Sequence, residues 1–190
     1  STVRDLNIEN NISDASGGGI YAYNSTIHLY NSKLNGNGAN SGSAIWTFSN
    51  AFLHNVEIYQ HNASSYILYA DDGAISCNNC NIHSNIGDLY YQYHGGGPNF
   101  VNSIIQNNTN GTYLFYFRYW GGTKSFINTT IANNDVTYLM YLYRGQAVNI
   151  SNCIIHENNG IISLSPTNPS QLTVSYSNIE NGSDSIDHTS

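Results

Sequence analysis

The stretch from Asn128 to Asn134 reads Asn-Thr-Thr-Ile-Ala-Asn-Asn, and 24 residues later the stretch from Asn152 to Asn158 reads Asn-Cys-Ile-Ile-His-Glu-Asn. In both stretches a small residue follows the first Asn, and Ile and a second Asn come at the same later positions. Aligning the whole chain on this pattern gives an aliphatic column: Ile8, Leu34, Ile58, Ile82, Ile105, Ile131, Ile155 and Ile179. A self-similar period of this length is the signature of a solenoid.

Three further columns accompany the aliphatic one. Two residues before it lies a mostly small column: Leu6, Ser32, Val56, Cys80, Ser103, Thr129, Cys153 and Ser177. One residue earlier lies an Asn-rich column: Asp5, Asn31, Asn55, Asn79, Asn102, Asn128, Asn152 and Tyr176. Three residues after the aliphatic column lies a second one: Asn11, Asn37, His61, Asn85, Asn108, Asn134, Asn158 and Gly182. We expect the aliphatic and small columns to point inward. We expect both Asn columns to sit at corners, where Asn tolerates left-handed φ and can bond the amide one coil away.

Short alternating runs identify the repeat as β-structure. Ile27-x-Leu29 and Val148-x-Ile150 have the period of a strand, and turn-forming runs such as Gly95-Gly96-Gly97-Pro98 separate them. Because crossovers between parallel strands are right-handed in nearly all cases, the sequence predicts an all-β, right-handed parallel β-helix of about eight coils of roughly 24 residues. Residues 1–190 should form a single domain.

Aromatic residues concentrate in one strand of each repeat. Consecutive strand residues face opposite sides, so dense runs such as Tyr113 to Trp120 should place rings outside as well as inside. Such a wall can bind sugar rings, form a protein interface, or only stabilise the sheet through cross-strand ladders. The candidate binding residues are Tyr21, Tyr23, Trp46, Tyr91, Tyr93, Phe115, Tyr119, Trp120, Tyr141 and Tyr143.

Composition excludes two classes of partner. Charged residues make up only 9% of the chain, with a formal net charge of −7, so no basic footprint for nucleic acid exists. No 18-residue apolar run is present, so the sequence predicts no membrane span. Polarity supplied by Ser, Thr, Asn and Gly is typical of extracellular solenoids. We therefore expect an extracellular or cell-surface location.

Catalytic residues are sparse. Asp71 and Asp72 form the one local carboxylate pair, and Asp88 and His94 are expected to lie one coil further on. This group is the best candidate for a polysaccharide lyase or glycoside hydrolase, which needs clustered carboxylates. The alternative is that these are solvated turn carboxylates. His residues do not repeat at ligand spacing, so neither a metal site nor a cofactor is predicted.

Two short motifs bear on thiol chemistry and on glycosylation. Cys77 and Cys80 form a Cys-x-x-Cys, but both fall at inward positions, which favours buried small hydrophobes over a redox or metal pair. Asn-x-Ser/Thr sequons make Asn24, Asn62, Asn107 and Asn110 candidates for glycosylation. The abundance of Asn, Ser and Thr would produce most such sequons by chance.

Parts of the chain resemble secreted bacterial right-handed β-helix repeat proteins of the pectate-lyase-like superfamily. Val174 to Gly182 resembles a last coil of such proteins, and Ser151 to Ile155 resembles the coil before it. Gly17 to Ile20 and Gly42 to Ile45 resemble the Gly-Gly-Ala-Ile repeats of polymorphic outer-membrane proteins, whose companion Phe-x-x-Asn occurs here once, at Phe52 to Asn55. The resemblance implies a β-helix. It leaves open adhesins, structural wall or fibre proteins, and polysaccharide lyases or hydrolases.

Function is therefore expected to follow from the aromatic wall and the ends. Our first expectation is a non-enzymatic surface or fibre protein; the alternative is a polysaccharide-binding or polysaccharide-cleaving β-helix. No capping helix is visible at either end, so we expect the ends either to be covered by further coils of a longer chain or to stack head to tail on other copies.

Overall fold

The computed structural model describes residues 1–165 and 170–187, which form parallel strands arranged in a solenoid of about eight turns. A 3-10 helix, Gly182–Ser185, lies near the end of the described chain. The strands are β1 (Thr2–Arg4), β2 (Asn7–Glu9), β3 (Ile12–Ser16), β4 (Ile20–Ala22), β5 (Ile27–Asn35), β6 (Gly38–Ser41), β7 (Ile45–Thr47), β8 (Ala51–Tyr59), β9 (Asn62–Asp72), β10 (Ile75–Asn78), β11 (Asn81–His83), β12 (Ile86–His94), β13 (Asn99–Val101), β14 (Ile104–Gln106), β15 (Thr109–Phe117), β16 (Lys124–Ile127), β17 (Thr130–Ala132), β18 (Asp135–Leu142), β19 (Ala147–Ser151), β20 (Ile154–His156), β21 (Ile161–Leu164), β22 (Gln171–Ser175), β23 (Asn178–Ile179) and β24 (Ile186–Asp187).

Three parallel sheets build the solenoid. The largest has 14 strands and bends at a corner, so that β5 and β8 run through the corner while later coils contribute two separate strands each. The second sheet has eight strands in the order β24-β21-β18-β15-β12-β9-β7-β4, and β3 pairs with β6 in a small third sheet. Neighbouring strands come from consecutive coils, which confirms the predicted coil stacking.

The aliphatic column is in register through the whole solenoid. Ile8 pairs with Leu34, Leu34 with Ile58, and the series continues coil by coil to Ile179. Members from Leu34 to Ile155 are buried, whereas the terminal Ile8 and Ile179 are partly buried against the same core. Burying such side chains supplies most of the favourable free energy of folding.

The small inward column is polar for a structural reason. The Ser103 hydroxyl donates to the carbonyl of Val101 at 2.8 Å and accepts the backbone N–H of Cys80, one coil earlier, at 3.1 Å. Ser32 makes the same pair of bonds with Tyr30 and Leu6. A small hydroxyl therefore satisfies backbone groups at the corner that ladder hydrogen bonds leave unpaired.

The first Asn column occupies the corner of the large sheet, as predicted. All its members have positive φ; the first, Asp5, has a φ of 55° and the last, Tyr176, a φ of 50°. The side chains are exposed and form a ladder in which five Nδ2 groups donate to the Oδ1 of the coil before, for example Asn55 to Asn31 at 3.0 Å and Asn128 to Asn102 at 3.1 Å. We call this series the outer Asn ladder.

The second Asn column differs from the prediction. Its members from Asn11 to Asn158 are not in the left-handed region; that conformation falls on the preceding residue, namely Asn10, Gly36, Gln60, Ser84, Asn107, Asn133 and Glu157. In the last coil both Asn181 and Gly182 have positive φ. The Asn side chains instead point inward, and Asn85, Asn108 and Asn134 are at most 1% exposed. We call this series the inner Asn ladder. Here the Nδ2 groups of Asn11, Asn85, Asn108 and Asn134 donate to the Oδ1 atom of the next coil, as from Asn108 to Asn134 Oδ1 at 2.9 Å.

His61 replaces an amide in the inner Asn ladder. Its ring is fully buried, with Nδ1 3.0 Å from the Asn37 carbonyl oxygen and Nε2 3.1 Å from the Leu34 carbonyl oxygen. Burial lowers the pKa of His61, while the two carbonyl contacts act in the opposite direction. The imidazole thus fills the role of an Asn amide, with two backbone carbonyls as its ring partners.

One lysine lies in the core, which the sequence pattern did not indicate. Lys124 occupies the inward position opposite Val148 and is fully buried. Its Nζ donates to the Gly122 carbonyl at 2.9 Å and contacts Gln146 Oε1, and it lies 5.6 Å from the Phe117 ring centroid. Burial lowers the pKa of Lys124 to about 8. The ammonium therefore caps loop carbonyls at the corner beside the eight-stranded sheet.

Candidate functional site

The outward face of the eight-stranded sheet carries a continuous aromatic column. The register places Tyr21 beside Trp46, then Tyr69, Tyr91, Tyr116 and Tyr141, one from each successive coil. Side chains of a strand alternate between faces, so the intervening positions, among them Leu68 and Met140, point into the core. We call this outward face the aromatic wall.

The rings of the aromatic wall contact one another along the solenoid axis. Tyr21 and Trp46 stack with centroids 4.7 Å apart and planes 10° from parallel. Tyr69 and Tyr91 are 4.9 Å apart, and Tyr91 and Tyr116 are 5.2 Å apart at an edge-to-face angle of 86°. Aromatic pairs in such geometries add about 1 kcal/mol each beyond the area they bury. The wall is therefore a rigid, preassembled surface.

Exposure divides the predicted binding residues into three groups. Trp120, Tyr21 and Tyr23 are 71%, 56% and 57% exposed, and a further group is partly exposed: Trp46, Tyr93, Tyr119, Tyr141 and Tyr143. Tyr91 faces outward but is only 4% exposed beneath its neighbours. Phe115 was assigned to the surface wrongly, because it is fully buried opposite Met140 in the core. The alternation placed an aromatic at an inward position there, as it did for Tyr90.

A second group of side chains, which includes Arg118, flanks the column. Tyr23 contacts Phe48 at 5.2 Å, and Tyr93 contacts Tyr119 at 5.0 Å. The Arg118 guanidinium lies over the Tyr93 and Tyr119 rings and donates to the Tyr91 hydroxyl at 3.0 Å. That hydrogen bond raises the pKa of Arg118, so its positive charge is retained.

Packing within the aromatic wall raises the pKa of several of its tyrosine hydroxyl groups. Burial raises the pKa of Tyr69 and of Tyr116 to about 12, with neighbouring tyrosines adding to the effect. Burial also raises the pKa of Tyr66, Tyr91, Tyr113 and Tyr141. These phenols remain neutral hydrogen-bonding groups at neutral pH.

The expected carboxylate cluster does not form. Asp72 lies in register with His94, but Asp88 lies in register with Tyr66, which is five positions before Asp71 on the same strand. At about 3.3 Å per residue, that register separates Asp88 from Asp71 by roughly 16 Å. Asp88 instead accepts the backbone N–H groups of Thr112 and Tyr113. Its placement beside Asp71 was therefore wrong, and its role is that of a turn cap.

Asp71 and His94 remain together at the edge of the aromatic wall. Burial raises the pKa of Asp71, and the nearby His94 opposes that shift. His94 is occupied by ring contacts, with centroids 4.3 Å from Tyr93 and 4.9 Å from Tyr119. The chemistry available at this edge is one partly buried carboxyl beside an imidazole that packs between tyrosines.

No metal site or membrane helix is found in the part of the chain that the structure describes. Residues 1–165 and 170–187 contain no group of three or more His, Cys, Asp or Glu arranged to hold a metal ion. Within the same ranges no helix is long and apolar enough to cross a membrane. Cys77 and Cys80 are free and buried; the hydrogen bond between their thiols raises the pKa of Cys77 and lowers that of Cys80.

The glycosylation candidates all lie on the surface. Asn24, Asn62, Asn107 and Asn110 have exposed side chains. Asn24, Asn107 and Asn110 have left-handed backbone conformations, with φ values of 53°, 54° and 59°. The positions stay predicted acceptors.

Sequence reasoning missed a second set of aromatic stacks on the large sheet. His28 stacks on Phe52 at 5.0 Å, Tyr30 on His54 at 4.8 Å, and Tyr59 on His83 at 5.3 Å. The signal that would have found them is the coil register, which places each ring one repeat from its partner.

Comparison with protein-family models, with curated proteins and with solved structures gave no match. The assignment of the chain as a parallel β-solenoid with an aromatic wall therefore stands on its sequence and its own geometry.

Proposed function

We propose that this chain is a non-enzymatic, extracellular surface or fibre solenoid that acts through its aromatic wall and its ends. The observation that carries the proposal is the outward column from Tyr21 to Tyr141, which continues through six coils while the carboxylates beside it do not cluster. Rings held in fixed positions lose little entropy when a partner binds. Tyr and Trp also combine apolar faces with polar edges, which suits contact with proteins and with sugars.

Carbohydrate binding is the second candidate, and the spacing of the rings supports it. Adjacent coils lie about 4.8 Å apart, which is close to the length of a sugar unit, so a polysaccharide along the axis could place one ring face against each coil. Cleavage is less well supported, since Asp71 and Asp72 lack the third carboxylate at Asp88.

Removing one stacked pair of the wall tests this function. We expect Tyr21→Ser with Trp46→Ser to lower retention on cellulose, chitin or the surface of intact cells, because the exposed stack supplies contact area. The matched control is His28→Ser with Phe52→Ser, which removes a stack of similar spacing, 5.0 Å against 4.7 Å, from the other sheet. Equal retention of both variants and the parent chain would exclude the wall as the binding surface. Release of sugar ends that Asp71→Ala with Asp72→Ala abolishes would make the protein an enzyme.

The ends are the second part of the proposal. At the first coil, β1 and β2 pair only with β5, and β4 pairs only with β7. A cavity of about 370 Å³ opens there between the sheets, lined by apolar residues that include Val3, Leu6 and Ile8. Unpaired strand edges with an open apolar core are a template for further coils. These coils belong either to a longer chain or to another copy stacked head to tail.

Substitution at the open end tests stacking. If copies stack, the chain should form end-to-end filaments in electron micrographs, and Leu6→Asp should abolish them because it places a charge on the joint. Ile12→Asp is the matched control, since Ile12 is 84% exposed and Leu6 is 40% exposed. Monodisperse monomers at high concentration would reject self-stacking and leave a longer chain as the source of the covering coils.

A further inference from the structure

Two arginines alternate with three tyrosines at the edge of the aromatic wall. The Arg118 guanidinium carbon lies 5.1 Å from the Tyr93 ring centroid and 5.0 Å from that of Tyr119. The Arg144 guanidinium carbon lies 5.4 Å from the Tyr119 centroid and 5.1 Å from that of Tyr143. Each guanidinium therefore lies within cation–π distance of two rings. We call this series the Arg–Tyr stack.

The charge of the Arg–Tyr stack is unusual for this chain. Only five residues are Lys or Arg, against 12 Asp and Glu. Lys124 is buried, and Lys33 is paired with Glu57 at 2.9 Å. Among the described residues neither Arg118 nor Arg144 forms an ion pair with a carboxylate, and the nearest acidic neighbour in the register is Asp71, opposite Tyr93.

Most donors of these guanidinium groups have no partner among the residues that the structure describes. A guanidinium carries five N–H donors. Arg118 uses one on the Tyr91 hydroxyl, and no hydrogen bond of the Arg144 side chain occurs among the described residues. Arg144 is also exposed, and Trp120, the most exposed large ring of the wall, follows Tyr119 directly. The stack thus presents forked donors next to open aromatic faces.

We infer that the Arg–Tyr stack is a subsite for the anionic groups of a carboxylated or sulfated polysaccharide. The inference rests on the proposed binding role of the wall. Guanidinium groups match the planar, bidentate geometry of carboxylate and the oxygens of sulfate. The ring faces and Trp120 contact the sugar, and the two cations come from adjacent coils, so they can meet charges on successive units. The ring contacts also hold the cations in place before the ligand arrives, which lowers the entropy cost of binding.

A local site is required because the protein as a whole repels polyanions. The net charge of −7 opposes general electrostatic attraction to an anionic polymer. Binding that depends on the Arg–Tyr stack should therefore be confined to it and should weaken with salt. Aromatic contact alone would not distinguish charged polymers from neutral ones.

Calorimetric titration with three polymers tests the inference. Alginate supplies carboxylates, dextran sulfate supplies sulfates, and dextran is neutral. We expect the parent chain to bind at least one anionic polymer and to bind dextran much more weakly. Arg118→Gln with Arg144→Gln should reduce that affinity roughly a hundredfold, the effect of losing two charge-assisted hydrogen bonds. The preferred polymer then identifies the anionic group.

The chain offers a matched control in Arg4. Its guanidinium stacks on Tyr30 at 4.1 Å on the other sheet, so Arg4→Gln removes the same charge and a similar contact without touching the wall. Arg4→Gln should bind like the parent chain. Arg144→Gln alone is tested as well, because Arg144 is exposed and its loss leaves the Arg118 contact to Tyr91 intact.

Three outcomes would overturn the inference. Equal binding of dextran and the anionic polymers would assign recognition to the rings alone, which leaves the proposed wall function standing. Equal weakening by Arg4→Gln would show a non-specific charge effect. Absence of binding to all three polymers would reject the subsite, while the proposed function is judged separately by retention on cells and by stacking.

Discussion

Raising the pH through 10 should unfold the solenoid in one steep step, with phenolate absorbance appearing together with the loss of the strand signal in circular dichroism. Burial raises the pKa of a set of tyrosines that share the wall and the core beneath it: Tyr66, Tyr69, Tyr90, Tyr91, Tyr113, Tyr116 and Tyr141. In the unfolded chain the same phenols ionise near pH 10.

The sign of the effect follows from proton binding. Above pH 10 the unfolded chain loses tyrosine protons that the folded chain keeps, so the free energy of unfolding falls as pH rises. Below pH 10 both states are protonated at these groups and the contribution is constant. Lys124 acts oppositely, since its pKa of about 8 lies below the ordinary lysine value of 10.5, but its effect is complete once the pH exceeds 10.5.

The magnitude is large compared with the stability of a domain. The pKa values of Tyr69 and Tyr116, about 12, lie well above the ordinary tyrosine value of 10.0. Each unit corresponds to about 1.4 kcal/mol, so each of these tyrosines contributes up to about 3 kcal/mol, less solvent screening. Even after screening, such shifts are a sizeable fraction of a typical total stability of roughly 5–15 kcal/mol.

Denaturant midpoints measured on both sides of pH 10 check the prediction. Tyr69→Phe with Tyr116→Phe keeps the rings and removes two ionisable hydroxyls, so it should make the decline shallower. Tyr23→Phe removes a hydroxyl from a ring that is 57% exposed and serves as the control. A midpoint that does not change with pH in the parent chain would contradict the assignment of these rings to a desolvated wall.

Replacing Asn108 by Ala should destabilise the protein by about 4 kcal/mol, as measured by denaturant unfolding. Asn108 Oδ1 accepts the Asn85 backbone N–H at 3.2 Å and its Nδ2 at 2.8 Å. Asn108 Nδ2 donates to the Ile82 carbonyl at 3.3 Å and to Asn134 Oδ1. Truncation leaves these buried groups without partners, where water cannot replace them.

The outer Asn ladder supplies the matched control. Asn128 is exposed and makes two ladder bonds, with Asn102 and Asn152, that water can replace. Asn128→Ala should cost about 1 kcal/mol, mainly because φ at this position is 51°. Asn128→Gly should cost less, since Gly adopts positive φ without strain. Similar losses for Asn108→Ala and Asn128→Ala would show that the two ladders contribute equally.

The columns could be predicted because each repeats a similar kind of side chain at a nearly constant interval along the sequence. The conformation of the second Asn column could not, because Asn occurs at both neighbouring positions in Asn10-Asn11, Asn107-Asn108 and Asn133-Asn134. Composition does not reveal which member of such a pair turns the chain and which enters the core. Burial decides between the two residues of a pair. The second Asn enters the core and forms hydrogen bonds with three or four partners, whereas the first Asn adopts the left-handed φ.

The candidate site was predicted only in part, for a related reason. The aromatic runs predicted the wall itself. Which rings face outward depends on which residues of each strand point away from the core, and Phe115 points into the core. The position of Asp88 depended on the length of the segment between the inner Asn ladder and the wall. That segment differs from coil to coil, so a sequence alignment on the columns cannot fix the register beyond it.

The irregularities in strand pairing all fall in that one segment. Register shifts occur between Ser13 and Ser16, within β12 after Ile86, between Thr109 and Gly111, and between Tyr138 and Met140. The solenoid thus has a side on which the length of a coil varies while the neighbouring coils stay paired, and four columns whose spacing within a coil is fixed. Over evolutionary time this side is where insertions should accumulate. For an engineer it is the place to graft a foreign peptide loop, displayed at the margin of the wall while the coils above and below keep their register.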